Sequence, residues 1–447
     1  LPPGGVLAAF ATGKRAGGLI CRRWAAEQHL LFRMARERSF WVGLNKPPPL
    51  GDPTPWSVEA MGKDAMQYFG WREEGIKREA VLVIRGGWDW QTMFKAVKPG
   101  YQLIMRHPNN NNLTAKDLLY RNLREAERRE LARGRKPCVP VERVVPETYL
   151  TDDPEDCKRL EEAIRSSQGE TWVRKVADVH IGQGITPVTA LQPGDCSGAG
   201  QFRRRSKVIY QRRMEPLQVR GRPTSLRSYV LLASLEPLVL LFNHAAGHVY
   251  VAGREVMSSE RSWYTQHHSF EAWTFERFAS WMAEEHGQPG FVSNATIPQM
   301  KDAILSAVKA ARQSFTSASE PGSGGPRRSW DTGHQLGALG HFDLWCIDFM
   351  YDSRLQMRML EMTDSCLFKG YGEQEQVRQR LFMMKDSLQV SLAVQSRILQ
   401  HQPISDLFDY ESQPGIPVSA AGSFELLYSE VPGSEYDFHT ALGRCDT

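Results

Sequence analysis

Hydrophobic and polar positions between His341 and Thr363 form two short apolar runs around a polar turn. The runs are Leu344 to Met350 and Gln356 to Met362, and the sequence Tyr-Asp-Ser-Arg stands between them. Strands of about 5 to 8 residues that flank a short polar turn are typical of a β-hairpin, so the pattern predicts one here. Each run contains one acid, because Asp348 interrupts the first and Glu361 ends the second.

These two acids are the first candidates for chemistry. Burying a bare carboxylate is costly unless it is paired or bound to a metal. Neighbouring strands could bring Asp348 and Glu361 together as a hard oxygen site for Mg²⁺, the usual partner of a nucleoside triphosphate. The alternative is that each acid faces water or an arginine at the end of its strand.

A second pattern predicts a strand, a glycine loop and a returning strand within Glu170 to Leu191. The first strand, Trp172 to Val176, contains Lys175, and the loop contains Gly182 and Gly184. A lysine that faces inward can meet nucleotide phosphates as a point charge, and a glycine loop can close over them with backbone N–H groups. A simple hairpin turn explains the glycines equally well.

Arg227 is a third candidate, at the entry to a strongly apolar strand from Tyr229 to Ala233. Its guanidinium could grip a phosphate or a carboxylate, and a structural salt bridge is the competing interpretation. Apolar positions elsewhere predict a buried strand at Ala80 to Ile84. They also predict helices at Val58 to Phe69, Thr114 to Arg133 with Thr114 as N-cap, Asp156 to Ser167, Phe275 to Glu285, Pro298 to Ser314 and Gln374 to Leu399.

Composition limits the class of protein. The chain has 447 residues, 41% hydrophobic and 24% charged, which is typical of a globular protein with about two or three packed units. A net charge of +4 does not indicate a nucleic-acid partner, and no apolar run approaches the roughly 20 residues of a membrane span. Seven scattered cysteines without a CxxC pair predict reduced thiols in the cytosol. The first residue is Leu1, which suggests a fragment or a processed product.

Taken in order, the motifs resemble those of the tubulin tyrosine ligase-like family of ATP-grasp ligases, over roughly Trp56 to Val394. The elements that carry the resemblance are His107-Pro108, Leu113 to Leu119, Pro146 to Tyr149, Trp172 to Val176, Gly182-Gln183-Gly184-Ile185, Gln211 to Met214, Ile347-Asp348-Phe349 and Met359 to Thr363.

The resemblance implies an α/β (α+β) protein with an ATP-grasp fold, in which two lobes clamp ATP after a smaller N-terminal α/β domain. The expected domains are a weakly ordered extension over 1–55, the N-terminal α/β domain over 56–145, the catalytic unit over 146–400 with a flexible loop at about 316–331, and a polar tail over 401–447.

The resemblance also assigns roles to residues. Lys175 would contact ATP phosphates and Arg227 would lie among the phosphate and substrate ligands, both as catalytic residues. Asp348 and Glu361 would hold Mg²⁺. The remaining ATP-binding positions would be Gly182, Gln183 and Gly184 in the flap and Gln211, Arg212, Arg213 and Met214 around adenine.

By the same resemblance, the protein would add glutamate, glycine or tyrosine to tubulin tails through an acyl phosphate. ATP and Mg²⁺ would be the cofactors, and tubulin or microtubules and a free amino acid the partners, in the cytoplasm, at the cytoskeleton or in a cilium. No nucleic acid and no membrane span are expected. A basic face suited to an acidic tail would comprise Arg203, Arg204, Arg205, Arg212 and Arg213.

Several positions depart from the family pattern. Pro223 and Ser225 replace a lysine and an aspartate, Gln183 and Tyr250 replace arginines, and Thr363 replaces a metal-binding asparagine. Each missing charge near ATP could cost about 2 to 4 kcal/mol of transition-state stabilisation. The alternative function is therefore an inactive pseudoenzyme that binds nucleotide or tubulin.

Overall fold

Most of the described strands lie in one large mixed sheet. The computed structural model describes residues 29–43, 58–75, 79–86, 102–107, 110–137, 139–167, 171–177, 184–196, 207–255, 270–316, 340–364, 374–408 and 422–438. The twelve strands of the large sheet are β1 (Ser39–Gly43), β2 (Arg72–Glu73), β3 (Leu82–Gly86), β4 (Leu103–Met105), β9 (Gln218–Val219), β10 (Arg222–Leu235), β11 (Leu238–Ala252), β12 (Phe270–Thr274), β13 (His341–Tyr351), β14 (Met357–Thr363), β15 (Phe424–Ser429) and β16 (Tyr436–Asp437).

A smaller sheet and several helices complete the described part of the chain. The small sheet consists of β5 (Thr148–Leu150), β6 (Trp172–Val176), β7 (Ile185–Val188) and β8 (Val208–Arg212), in the order β5-β8-β6-β7. The α-helices with defined bounds are α1 (Val58–Tyr68), α2 (Asn111–Thr114), α3 (Lys116–Ala132), α4 (Val141–Val144), α5 (Pro154–Ser166), α6 (Phe275–His286), α7 (Ile297–Thr316) and α8 (Gln374–Leu399). A π-helical turn, Val292–Thr296, leads into α7.

The large sheet joins a parallel part to an antiparallel part. Its order is β16-β15-β11-β10-β13-β4-β3-β1-β2, with β9, β12 and β14 beside β10, β11 and β13. Strands β1 to β4 pair in parallel, and β4 also pairs in parallel with the start of β13. The central strands β10, β11 and β13 pair antiparallel. This mixed architecture confirms the predicted α/β (α+β) class, whereas the two-lobe ATP-grasp arrangement stays a prediction.

Strand β10 explains why the centre of the sheet is continuously apolar in sequence. Val230 and Leu232 lie in a core shared with α6 and α7, whereas Tyr229, Leu231 and Ala233 lie in a core shared with α8. Successive side chains of a strand point to opposite faces. Both faces of the sheet are therefore buried, which removes the alternation that marks a half-exposed strand.

The helices predicted from apolar spacing are all present, with small shifts at their ends. The predicted cap of α3 is wrong. Thr114 ends the short helix α2, and Ala115 occupies the N-cap position without a side-chain hydrogen bond. Among the described residues, no helix combines the length and the apolar character that a membrane span requires.

Two stretches that were assigned to the extension and the tail contribute strands to the large sheet. Strand β1 pairs with β3, and residues 29–36 form a helix before it. Strand β15 pairs with β11. The pairing shifts in register between Leu240 and Leu241 of β11, so the apolar residues of β15 do not alternate regularly along the strand. The domain boundaries themselves stay predictions. The predicted loop at 316–331 and residues 439–447 lie almost wholly outside the described residues.

A disulfide bond joins Cys157 of α5 to Cys196, in the segment that follows β7. The prediction of reduced thiols is wrong for this pair. The two cysteines are 39 residues apart, so no local spacing indicated that they meet. Cys346 is a free, buried cysteine.

The C-terminal strand makes the first testable prediction. Leu427 of β15 is fully buried in the core that includes α6 and α7. Leu427→Ala should therefore lower the free energy of unfolding by about 2 to 5 kcal/mol, measured by urea denaturation. Leu131 of α3 is 58% exposed, so Leu131→Ala is a matched control that should change stability by less than about 0.5 kcal/mol. Equal stability of the two variants would contradict the packed position of β15.

Candidate active site

The predicted hairpin is present as the antiparallel pair β13 and β14, and it places the two candidate acids side by side. Asp348 and Glu361 are direct cross-strand partners, with a register shift immediately after Asp348. On the other side of β13, Arg227 of β10 is the direct partner of Asp348. Directly opposed residues of antiparallel strands project from the same face of the sheet. The three side chains therefore form one row across β10, β13 and β14.

Arg227 and Asp348 form a bidentate ion pair. Arg227 donates from Nε to Oδ1 at 2.7 Å and from Nη2 to Oδ2 at 2.8 Å, and both side chains are at most 20% exposed. Burial acts to lower the pKa of Arg227, but the charge of Asp348 outweighs it and raises that pKa above its usual value. Asp348 thus faces an arginine, as one of the two sequence interpretations had it.

Glu361 is paired with Lys116, which lies at the start of α3. The distance from Lys116 Nζ to Glu361 Oε2 is 3.1 Å. Burial of Glu361 acts to raise its pKa, but Lys116, Lys175 and Arg227 together lower it. In the sequence, Lys116 belongs to the stretch Leu113 to Leu119 that carries the family resemblance, but it was not among the residues predicted to form the nucleotide site. A lysine in the first turn of a helix opposes the helix dipole, and that local conflict was the signal that could have identified it.

Lys175 reaches the same place from the small sheet. It is 8% exposed, and its Nζ donates to Oε1 of Gln211 at 2.6 Å. Its pKa is lowered to about 8, chiefly by burial and also by the positive charge of Lys116, while Glu361 acts in the opposite direction. We refer to Lys116, Lys175, Arg227, Asp348 and Glu361 as the charged cluster.

The other residues predicted to bind ATP are only partly described by the structure, and those that are described have different surroundings. Gly184 adopts φ +68° just before β7, a left-handed conformation that favours glycine, while Gly182 and Gln183 lie outside the described residues. Gln211 is buried and bonded to Lys175.

The other residues predicted around adenine follow Gln211. Arg212 pairs with Glu147 at 2.9 Å and its guanidinium lies 5.7 Å from the Trp172 ring. Arg213 pairs with Glu215, and Met214 is half-buried. The arginines of the predicted basic face at 203–205 lie outside the described residues.

One departure from the family pattern touches the charged cluster directly. The ring of Tyr250 lies 5.5 Å from the Arg227 guanidinium and packs edge-on against Phe270 at 4.4 Å. Its pKa is raised to about 12, first by burial, while Arg227 acts in the opposite direction. The nearby Arg254 donates to the backbone oxygen of Glu255 at 2.8 Å.

The two acids suit Mg²⁺ in chemistry. Mg²⁺ is usually held by one or two carboxylates together with water and substrate phosphates. Asp348 and Glu361 are adjacent hard oxygen donors. Within the described ranges, no group of three or more histidine, cysteine or acidic side chains forms a metal cage. Two adjacent carboxylates match the donors that Mg²⁺ takes from a protein when phosphate and water supply the rest of its coordination.

The charged cluster brings together a lysine of strand β6, a lysine of helix α3 and the acidic hairpin. The model of the tubulin-tyrosine ligase family matches residues 94–247 and confirms the resemblance to the tubulin tyrosine ligase-like family. The match includes Lys116, Lys175 and Arg227, whereas the acidic hairpin lies beyond it. Members of this family are generally ATP-grasp ligases that act on tubulin-related substrates with ATP and Mg²⁺, so the match supports a ligase.

The lowered pKa of Lys175 has a consequence for stability. Because the pKa is about 8 in the folded protein and about 10.4 in an unfolded chain, the unfolded state binds more protons between these values. Stability from this group should therefore rise with pH across that window, by at most about 1.4 kcal/mol per pH unit.

The measurement is urea denaturation of the wild type and of Lys175→Met at several pH values from 8 to 10. The wild type should gain stability relative to this variant as the pH rises. Lys158→Met, which changes an exposed lysine on α5, is the control and should follow the wild-type curve. If the free energies of unfolding of the wild type and Lys175→Met changed in parallel with pH, the pKa of Lys175 would not be lowered in the folded protein.

Proposed function

We propose that this protein is an ATP-dependent ligase that adds glutamate, glycine or tyrosine to tubulin tails through an acyl-phosphate intermediate. The expected partners are tubulin or microtubules and a free amino acid, in the cytoplasm, at the cytoskeleton or in a cilium. The proposal extends the family match to a reaction, an acceptor and a place in the cell.

The observation that carries the proposal is the convergence of three cations from three separate elements. Lys116 comes from α3, Lys175 from β6 and Arg227 from β10, and all three lower the pKa of Glu361. Lys116 and Lys175 are also close enough for one to lower the pKa of the other. Three positive charges at a partly buried point are unfavourable unless anions offset them. Asp348 and Glu361 offset two of these charges, and a polyphosphate bound at the same point would supply further negative charge. A triphosphate has the charge and length to do so.

The proposed chemistry has two steps. A carboxylate of the acceptor tail attacks the γ-phosphorus of ATP, which forms an acyl phosphate and releases ADP. The amine of the donor amino acid then attacks the acyl carbon, and phosphate leaves as the amide bond forms. Asp348 and Glu361 would hold Mg²⁺, which supplies positive charge at the transferring phosphoryl group.

The cationic side chains have a separate task in this scheme. Lys116 and Lys175 would hold the phosphates in place, and their charge would stabilise the transferring group in a site shielded from water. Arg227 is within reach of the same point, and its bond to Asp348 fixes the guanidinium plane. When a nucleotide binds, Lys116 would exchange Glu361 for phosphate oxygens and leave that carboxylate to the metal ion.

A second candidate function is a pseudoenzyme that binds nucleotide or tubulin without turnover. It is favoured by the bidentate pair, because Arg227 and Asp348 already satisfy each other's charge. It is also favoured by the loss of charged residues at Pro223, Ser225 and Tyr250. The two functions share the charged cluster and differ only in whether the phosphoryl group is transferred.

Incorporation of labelled amino acids into microtubules tests the proposal. Labelled glutamate, glycine and tyrosine are supplied separately, with and without ATP, to the wild type and to Glu361→Gln. The wild type should incorporate one of them only with ATP, and the variant should lose about 100-fold or more of that rate. Glu161→Gln changes an exposed acid on α5 and should retain the wild-type rate.

Each result of this assay separates the two candidates. Incorporation that depends on Glu361 supports the ligase and identifies the donor amino acid. No incorporation of any donor, with microtubule binding retained by the wild type and by Glu361→Gln, would contradict the ligase and leave the pseudoenzyme.

A further inference from the structure

A chain of hydrogen bonds leads from β5 through the small sheet to Lys175. Oγ1 of Thr148 donates to the backbone oxygen of Pro146 at 2.6 Å. Nε2 of Gln211 donates to Thr148 Oγ1 at 3.0 Å, and Gln211 Oε1 accepts from Lys175 Nζ at 2.6 Å. Thr148, Gln211 and Lys175 are 2%, 6% and 8% exposed, so water competes little for these bonds.

The strand register accounts for the contacts. Thr148 of β5 is the direct partner of Gln211 of β8. Gln211 in turn lies opposite Val173 of β6, and Lys175 is two residues further along that strand. Side chains two residues apart on a strand share a face, and a diagonal neighbour is within reach of a long side chain. All three side chains therefore line one face of the small sheet.

The chemistry of the partners fixes the direction of every bond in this chain. The Pro146 carbonyl can only accept, so the single hydroxyl hydrogen of Thr148 points to it. The hydroxyl then offers only lone pairs to Gln211, and the amide nitrogen of Gln211 must face Thr148. The amide oxygen is left facing Lys175, where it accepts from an ammonium group that has donors only.

We propose that Thr148 is a positioning residue of the nucleotide site, which acts by locking the Gln211 amide so that its oxygen holds the Lys175 ammonium beside Glu361 and Lys116. This inference rests on the proposed function for the ligand of that ammonium. Without the Thr148 hydroxyl, the amide can rotate and present its N–H groups to Lys175. The ammonium would then lose its acceptor and turn away from the position it needs for phosphate.

The first test compares MgATP binding, by calorimetry, in the wild type and in Thr148→Val, which keeps the side-chain shape and removes the hydroxyl. Loss of a hydrogen bond to a charged group should weaken MgATP binding about tenfold. Thr148→Ser restores the hydroxyl and should return the affinity to within about twofold of the wild type. Equal MgATP affinity of the wild type and Thr148→Val would overturn the proposal.

A matched control separates positioning from stability. Thr151 is also buried, and its hydroxyl donates to the backbone oxygen of Val208 at 2.9 Å, so this bond is not part of the chain from Thr148 through Gln211 to Lys175. Thr151→Val should lower the free energy of unfolding as Thr148→Val does, while its MgATP affinity stays at the wild-type value. A similar loss of affinity in both variants would mean that any damaged hydrogen bond in this sheet weakens binding, and would contradict a specific role for Thr148.

A double-mutant cycle tests whether Thr148 acts through Gln211. Gln211→Leu removes both amide bonds and should weaken MgATP binding at least as much as Thr148→Val. The double variant Thr148→Val/Gln211→Leu should bind MgATP as Gln211→Leu alone does, because Thr148 has nothing left to orient. If the two substitutions weakened MgATP binding independently, their fold-losses would multiply in the double variant. That result would overturn the proposal that Thr148 acts through Gln211. If Thr148→Val fails to fold, Gln211→Leu takes its place as the variant whose MgATP affinity is compared with that of the wild type.

A readout without nucleotide distinguishes failure of this inference from failure of the proposed function. The rate at which an amine-reactive ester modifies Lys175, followed by peptide mass spectrometry at one pH, reports how firmly the ammonium is held. Modification should be several-fold faster in Thr148→Val and unchanged in Thr151→Val. If the wild type bound no MgATP but this difference remained, the proposed function would fail and the positioning of Lys175 would stand. Equal rates in the three proteins would overturn the positioning itself.

Discussion

Two carboxylates directly opposite each other on neighbouring strands are the constraint on which the described site depends. Like charges in that position destabilise a hairpin unless cations offset them. Arg227 offsets Asp348 and Lys116 offsets Glu361, and each cation comes from a different element. The hairpin is therefore stable only where β10 and the start of α3 are held against it. Under the proposed function, a nucleotide and its metal ion would bind at the same charged residues that affect the stability of the hairpin.

This constraint links parts of the chain that are far apart in sequence. Asp364, just after β14, pairs with Arg106 at 2.8 Å and accepts from Asn110 at 2.6 Å, which ties the turn before α2 to the end of the hairpin. Lys116 lies only a few residues after Asn110, so the contacts of Asp364 with Arg106 and Asn110 hold Lys116 near Glu361. Strand β6 of the small sheet brings Lys175 close enough to Glu361 to lower the pKa of that carboxyl. A polyphosphate bound as proposed would add negative charge beside Lys116 and Lys175, which connects the stability of the folded protein to its proposed ligand.

The sequence predicted the local elements better than their partners. The hairpin, the strand that carries Lys175 and the helices follow from apolar spacing, and the structure contains them. The position of Lys116 in the first turn of α3 is a local signal, but its pairing with Glu361 depends on how α3 approaches the sheet, which no local pattern reveals. The disulfide between Cys157 and Cys196 was missed for the same reason. Strand β15 was missed because its two fully buried apolar residues, Phe424 and Leu427, belong to different cores and do not show the alternation of a half-buried strand.

The measurement that tests the central claim most directly is calorimetric titration of the wild-type protein with ATP, in the presence of Mg²⁺ and again with a chelator. If the charged cluster is a nucleotide site with Asp348 and Glu361 as metal ligands, ATP should bind, and Mg²⁺ should strengthen that binding. The Asp348→Asn/Glu361→Gln double variant should lose the effect of Mg²⁺. No binding of ATP under either condition, or an affinity that Mg²⁺ leaves unchanged, would contradict this account of the site.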